Sequence, residues 1–101
     1  MIRRILRALM IPYRLQTGGD YSGSDLSGQN LEGINLAGAN FTNAKLLGVN
    51  LKDANLTGAN FTLADLSGAI LVGANFTGAT LHESILTRAN LTRATLISLV
   101  S

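Results

Sequence analysis

Large apolar residues recur at every fifth position through most of the chain. They run Tyr21, Leu26, Leu31, Leu36, Phe41, Leu46, Leu51, Leu56, Phe61, Leu66, Leu71, Phe76, Leu81, Leu86, Leu91 and Leu96, sixteen centres without an exception. Their neighbours keep step. Two places before the centre, ten of sixteen residues are Ala; one place before, eleven are Asn or Asp; two places after, nine are Gly. The unit reads A-N-L-T-G. On an α-helix five steps of about 100° would rotate each centre by about 140° from the last and scatter them around every side. On a continuous strand, alternation by two would send successive centres to opposite faces. Within one unit, however, the small residue and the large one lie two apart, the spacing of same-face residues on a short extended segment. The Asn or Asp between them then points outward. Gly tolerates positive φ and Asn or Asp bonds nearby backbone, so each unit also carries turn chemistry. A bend of the same sense at every unit brings all centres onto one axis, in a coil filled with Leu, Phe and Ala whose layers stack through backbone hydrogen bonds at about 4.8 Å.

This unit, a central Leu or Phe with a small residue two before it and Asn or Asp between, resembles the repeat of the pentapeptide-repeat family over residues 19 to 98. The resemblance implies an all-β fold, a right-handed quadrilateral parallel β-helix with four units per coil and hence about four coils. The residue pattern alone leaves three sides or four open. A register of 20 aligns Tyr21, Phe41, Phe61 and Leu81 in one interior column and Asn35, Asn55 and Asn75 in an outer ladder. It also places Lys45 between Asp25 and Asp65, and Glu32 beside Lys52. The expected organisation is an N-terminal basic segment over 1–17, a repeat domain over 18–98 and an apolar tail over 99–101.

Composition follows from the repeat. The chain has 101 residues, 47% hydrophobic and 14% charged, with 11 Gly, one Pro and no Cys or Trp. That is too apolar for a disordered tail, and no apolar run approaches the roughly 20 residues that cross a bilayer. The absence of Cys removes disulfides, thiolate metal sites and cysteine nucleophiles. A net charge of +2 invites a nucleic-acid reading until it is divided along the chain. Arg3, Arg4, Arg7 and Arg14 carry no acid among them, whereas from Gln16 onward four basic residues face six acids, 4 − 6 = −2. The basic character belongs to the N-terminal arm.

The two ends depart from the repeat. Ile2, Ile5, Leu6, Leu9 and Met10 recur at helical spacing with Arg3, Arg4 and Arg7 on the other side, so residues 2–11 read as a short amphipathic helix stopped by Pro12. Three readings compete: a helical cap over the first coil, docking on an anionic membrane surface through Arg3, Arg4 and Arg7, and a targeting or nucleic-acid-binding arm. A secretory signal fits poorly because Arg7 interrupts the apolar stretch and no small-residue cleavage site follows. At the other end Leu96, Ile97, Leu99 and Val100 make the last coil unusually apolar. They either fold over the coil's end or form the interface of a homodimer, which would remove an open edge by pairing it. The resemblance adds weight to the dimer, since topoisomerase-binding members of the family pair through this end.

Chemistry is sparse. His82 is the only histidine and points outward beside Glu83, the reading of a solvated side chain rather than a catalytic or metal-binding one. The acids are scattered and the glycines occur singly rather than in a phosphate-cradling loop. No catalytic residue, cofactor or metal is assigned, and an enzyme is not expected. Leu47, Leu63, Ile70, Val72 and Ile85 break the polar rule of outward positions, by drift in the repeat or as a partner surface. The expected function is a rigid, non-enzymatic scaffold or protein-binding module with an unidentified protein partner, cytoplasmic by default. The first alternative is a membrane-associated module anchored by residues 1–15. The second, implied by the family resemblance, is a DNA mimic that binds a topoisomerase, which requires a long, strongly acidic rod; a body of −2 and about four coils makes nucleic-acid competition a poor fit.

Overall fold

The computed structural model describes residues 15–100. Expected features within 1–14, including the helix over 2–11 and Arg3, Arg4 and Arg7, lie outside the described residues.

The coil closes after four units. Parallel bridges join each residue before a centre to the one 20 further on, from Asp20 with Asn40 to Thr80 with Val100. The four faces of the square therefore carry centres 21, 41, 61 and 81; 26, 46, 66 and 86; 31, 51, 71 and 91; and 36, 56, 76 and 96. The four coils begin at Tyr21, Phe41, Phe61 and Leu81. Every bridge is isolated. Extended backbone between corners is too short to form a strand of several residues.

The corners explain the period. In each unit from Tyr21 to Leu91 the N–H three residues after a centre donates to that centre's carbonyl, as Ala39 does to Leu36 at 3.1 Å and Ala74 to Leu71 at 3.0 Å. The residue two after the centre has positive φ at every position from 18 to 98, ten glycines and seven other residues. This is the geometry of a type II turn, in which the third residue is left-handed. Glycine adopts it without steric cost, whereas Asn43, Asp53, Leu63, Glu83, Arg88, Arg93 and Ser98 do so at φ of 55–62° against the Cβ penalty.

Backbone donors are satisfied in a fixed division of labour. The centre donates to the next coil (Leu26 N–H to Lys45 O, 2.8 Å), as does the left-handed residue (Gly28 N–H to Leu47 O, 2.8 Å). The residue before the centre donates to the preceding coil (Lys45 N–H to Ser24 O, 2.8 Å). Each coil is thus tied to its neighbours in both directions, which meets the requirement that buried amides find partners. Inside, the centres from Leu36 to Phe76 are at most 1% exposed, with Ala39, Ala44, Ala54, Ala59, Ala64, Ala69, Ala74 and Ala79 equally buried beside them. The expected aromatic column is present. Tyr21 stacks on Phe41 with centroids 5.4 Å apart and Phe41 on Phe61 at 4.9 Å, while Phe76 meets Phe61 from an adjoining face at 5.6 Å.

Two substitutions test the corner. Leu63→Gly relieves a left-handed leucine and is expected to raise unfolding free energy by about 1 kcal/mol. Gly73→Ala forces a Cβ onto a residue at φ 70° and into the Asp53 carboxylate. It is expected to cost about 1 to 2 kcal/mol, both effects read by urea denaturation.

Candidate interaction surface

One backbone donor per unit is left over by the coil-to-coil ladder: the N–H just after the centre. Its acceptor is the side chain just before the centre. Asn60 Oδ1 accepts from Thr62 N–H at 2.9 Å and from Thr62 Oγ1 at 2.6 Å; Asn55 with Thr57 and Asn75 with Thr77 repeat both bonds. This is an Asx turn, and it commits the acceptor oxygens of the outer polar row to the backbone. The ladder of Asn35, Asn55 and Asn75 is confirmed by its bridges, with each side chain turned along its own strand to the residue two ahead.

The charges that the register aligns do not pair directly. Asp25, Lys45 and Asp65 do align on one face. Yet Asp25 Oδ1 accepts from Ser27 N–H at 3.0 Å and Asp65 Oδ1 from Ser67 N–H at 3.0 Å. The Ser27 backbone N–H lowers the Asp25 pKa below its ordinary 3.8, the Ser27 side chain adds to this, and Lys45 contributes least. Asp20 is lowered in the same way, by the backbone and then the side chain of Ser22. Glu32 and Lys52 form no direct ion pair; among described residues the one such contact is His82 Nε2 with Glu83 Oε2 at 3.1 Å, both exposed. Among the described residues no cluster of His, Asp and Glu is placed to hold a metal, and no helix is long and apolar enough to cross a membrane.

Where the Asx residue is missing, the surface changes character. Lys45, Ile70, Thr80, Ile85 and Thr95 stand in its place. Beside Lys45 the N–H of Leu47 is rescued by the hydroxyl of Ser27 one coil below, at 3.1 Å. Ile70 and Ile85 offer no acceptor, and they are 41% and 47% exposed. Leu47 and Leu63 are exposed to the same degree, while Val72 is half-buried. Leu47 and Ile85 lie on the Leu26 face, Leu63 on the corner leading into it, and Ile70 with Val72 on the adjoining Leu31 face. Of the residues expected at a C-terminal interface, Leu96, Ile97 and Val100 are exposed, whereas Leu99 turns inward against the core. The left-handed role of Leu63, Glu83, Arg88, Arg93 and Ser98 and the cap by Ser27 escaped the sequence reading. Position two after the centre was the available signal for the first; a bond between coils left none for the second.

The family model for pentapeptide repeats matches residues 22–58 and 59–96 in eight copies. The chain is similar to a pentapeptide repeat protein from the Arabidopsis thaliana thylakoid lumen, with 38% identity and a TM-score of 0.79 over 82% of this chain and 58% of that one. It therefore spans less than two thirds of that relative's length. A pentapeptide repeat protein from Nostoc Pcc 7120 is 31% identical, with a TM-score of 0.76, over 89% of this chain and 73% of that one. One from the cyanobacterium Cyanothece 51142, 23% identical at a TM-score of 0.59 over 99% of this chain and 95% of that one, shares the fold. No curated protein matches the chain significantly.

The carboxylate caps predict a pH dependence. A folded pKa below the unfolded value means that the unfolded chain binds more protons as pH falls, so this part of the stability is present above about pH 4 and is lost below it. The double variant Asp20→Asn/Asp25→Asn, which keeps the acceptor oxygen, is expected to flatten the decline of the thermal midpoint between pH 4 and pH 2.

Proposed function

The chain belongs to the pentapeptide-repeat family, whose members form right-handed quadrilateral β-helices, and from this we propose that it works as a rigid, non-enzymatic protein-binding module. The observation that carries the reading is the exposed apolar set Leu47, Leu63, Ile70 and Ile85, which lies on two adjoining faces of the rod apart from the exposed Leu96, Ile97 and Val100. The interior is filled by its own side chains, so recognition falls to the outside. A rigid rod keeps these residues at fixed separations, which limits the entropy lost when a partner binds. The described surface carries a net charge of −2, from four basic and six acidic residues, so its recognition rests on shape and apolar contact rather than on imitation of a phosphate backbone.

The test compares the natural chain with Leu47→Ser/Leu63→Gly/Ile70→Asn/Ile85→Asp in capture from the host's extract. We expect at least a tenfold loss of the captured partner with the fold intact by circular dichroism. A partner held equally by both chains removes the apolar faces from the proposal. Membrane association through Arg3, Arg4 and Arg7 is separated by liposome flotation with and without residues 1–15, and inhibition of DNA supercoiling by gyrase at stoichiometric protein would favour the DNA-mimic reading.

A second reading, pairing with another copy through the last coil, is favoured by the exposure of Leu96, Ile97 and Val100, at 44%, 66% and 52%. Sedimentation is expected to give a dimer that Ile97→Lys/Val100→Lys converts to monomer; a natural chain that sediments as a monomer at millimolar concentration ends this reading.

A further inference from the structure

The fourth coil is built differently from the three beneath it. Of the thirteen left-handed corners from 18 to 78, ten are Gly, whereas 83, 88, 93 and 98 are Glu, Arg, Arg and Ser. Every corner of this coil therefore carries a Cβ in a conformation that L residues disfavour. The polar caps thin out in the same place. Ten of the twelve positions from Asp20 to Asn75 hold an Asx acceptor, but of Thr80, Ile85, Asn90 and Thr95 only Asn90 provides one, to Thr92 N–H at 3.0 Å. Burial changes as well. Leu81, Leu86 and Leu91 are half-buried and Leu96 is 44% exposed, whereas in the first coil only Tyr21 is half-buried and Leu26, Leu31 and Leu36 are 5%, 3% and 0% exposed. Corner strain, missing caps and weaker packing thus coincide in one coil.

We infer that residues 81–100 open as a unit of their own while the three preceding coils stay folded. Repeat arrays permit this, because each coil touches only its neighbours and the energy of the stack divides at their interfaces. Opening breaks a defined set of bonds. Leu66, Leu71 and Phe76 lose the carbonyls of Ile85, Asn90 and Thr95 as acceptors, and the N–H groups of Ile85, Asn90 and Thr95 release Ala64, Ala69 and Ala74. What is uncovered is the upper edge of the third coil, with Phe61 and Phe76 at its core. The terminal coil is thus a built-in lid over an apolar edge.

Native-state hydrogen exchange tests this on the full chain, at a concentration where sedimentation shows monomer, so that self-association does not enter. The amides of Leu66, Leu71, Phe76, Ile85, Asn90 and Thr95 are expected to exchange together, at least tenfold faster than those of Leu46, Leu51 and Leu56. The latter donate to the third coil at Asp65, Ile70 and Asn75. In Glu83→Gly/Arg88→Gly/Arg93→Gly/Ser98→Gly the faster group is expected to slow by tenfold or more while the slower group is unchanged. Asn43→Gly, a corner of the second coil, is expected to leave the gap in place. Equal protection of both groups in the natural chain overturns the inference, as does a gap that the four glycines fail to narrow.

Discussion

A left-handed residue at every corner is the constraint on which the molecule depends. From 18 to 98 the backbone takes positive φ once in five residues without omission. The corners from 23 to 93 are closed by the carbonyl of the preceding centre, and the turns share one sense, so the centres converge on a common axis. A missed corner would send the next centre to the outside and break the column below and above it. Glycine meets the demand at ten corners, which is why a chain otherwise rich in Leu and Ala holds so many glycines.

The second requirement is hydrogen-bond closure. The coil-to-coil ladder and the corner use four of the five N–H groups in a unit, and the Asx side chain supplies the fifth. Asn60 shows the economy of the arrangement, since one oxygen serves both the N–H and the hydroxyl of Thr62. The outer row thus gives its acceptor oxygens to the chain's own backbone. The row fails at Ile70 and Ile85, and a corner is apolar at Leu63. Asp25 and Asp65 likewise give one oxygen each to Ser27 and Ser67, and Lys45 between them makes no direct ion pair with either.

The first and fourth coils are unequal. The first has Gly at all its corners and, Tyr21 apart, buried centres, while the fourth has neither. A solenoid has no contacts beyond the neighbouring coil to average such differences, since residues distant in sequence meet only within a coil or across two adjoining ones. Stability therefore follows local sequence from coil to coil, and a family whose fold is rigid along its length can still hold one labile layer. That layer and the apolar faces are separate features, one at the tip and one along the side.

Much was legible in the chain by itself. The five-residue period excluded helix and flat sheet and assigned Leu, Phe and Ala to the interior and Asn and Asp to the outside, because inward and outward positions follow directly from side-chain alternation over three residues; the columns of Tyr21 with Phe41 and Phe61 and of Asn35 with Asn55 and Asn75 needed the register of 20 as well. The number of sides did not follow from it. The angle at a corner is a backbone property that side-chain pattern does not encode, and only the bridges between residues 20 apart settle it. Tertiary structure likewise decided that Ser27 caps Leu47 from the coil below, and that Leu99 packs inward while Ile97 does not. These depend on what lies one coil away, and a period of five records what each residue is without recording what stands above it.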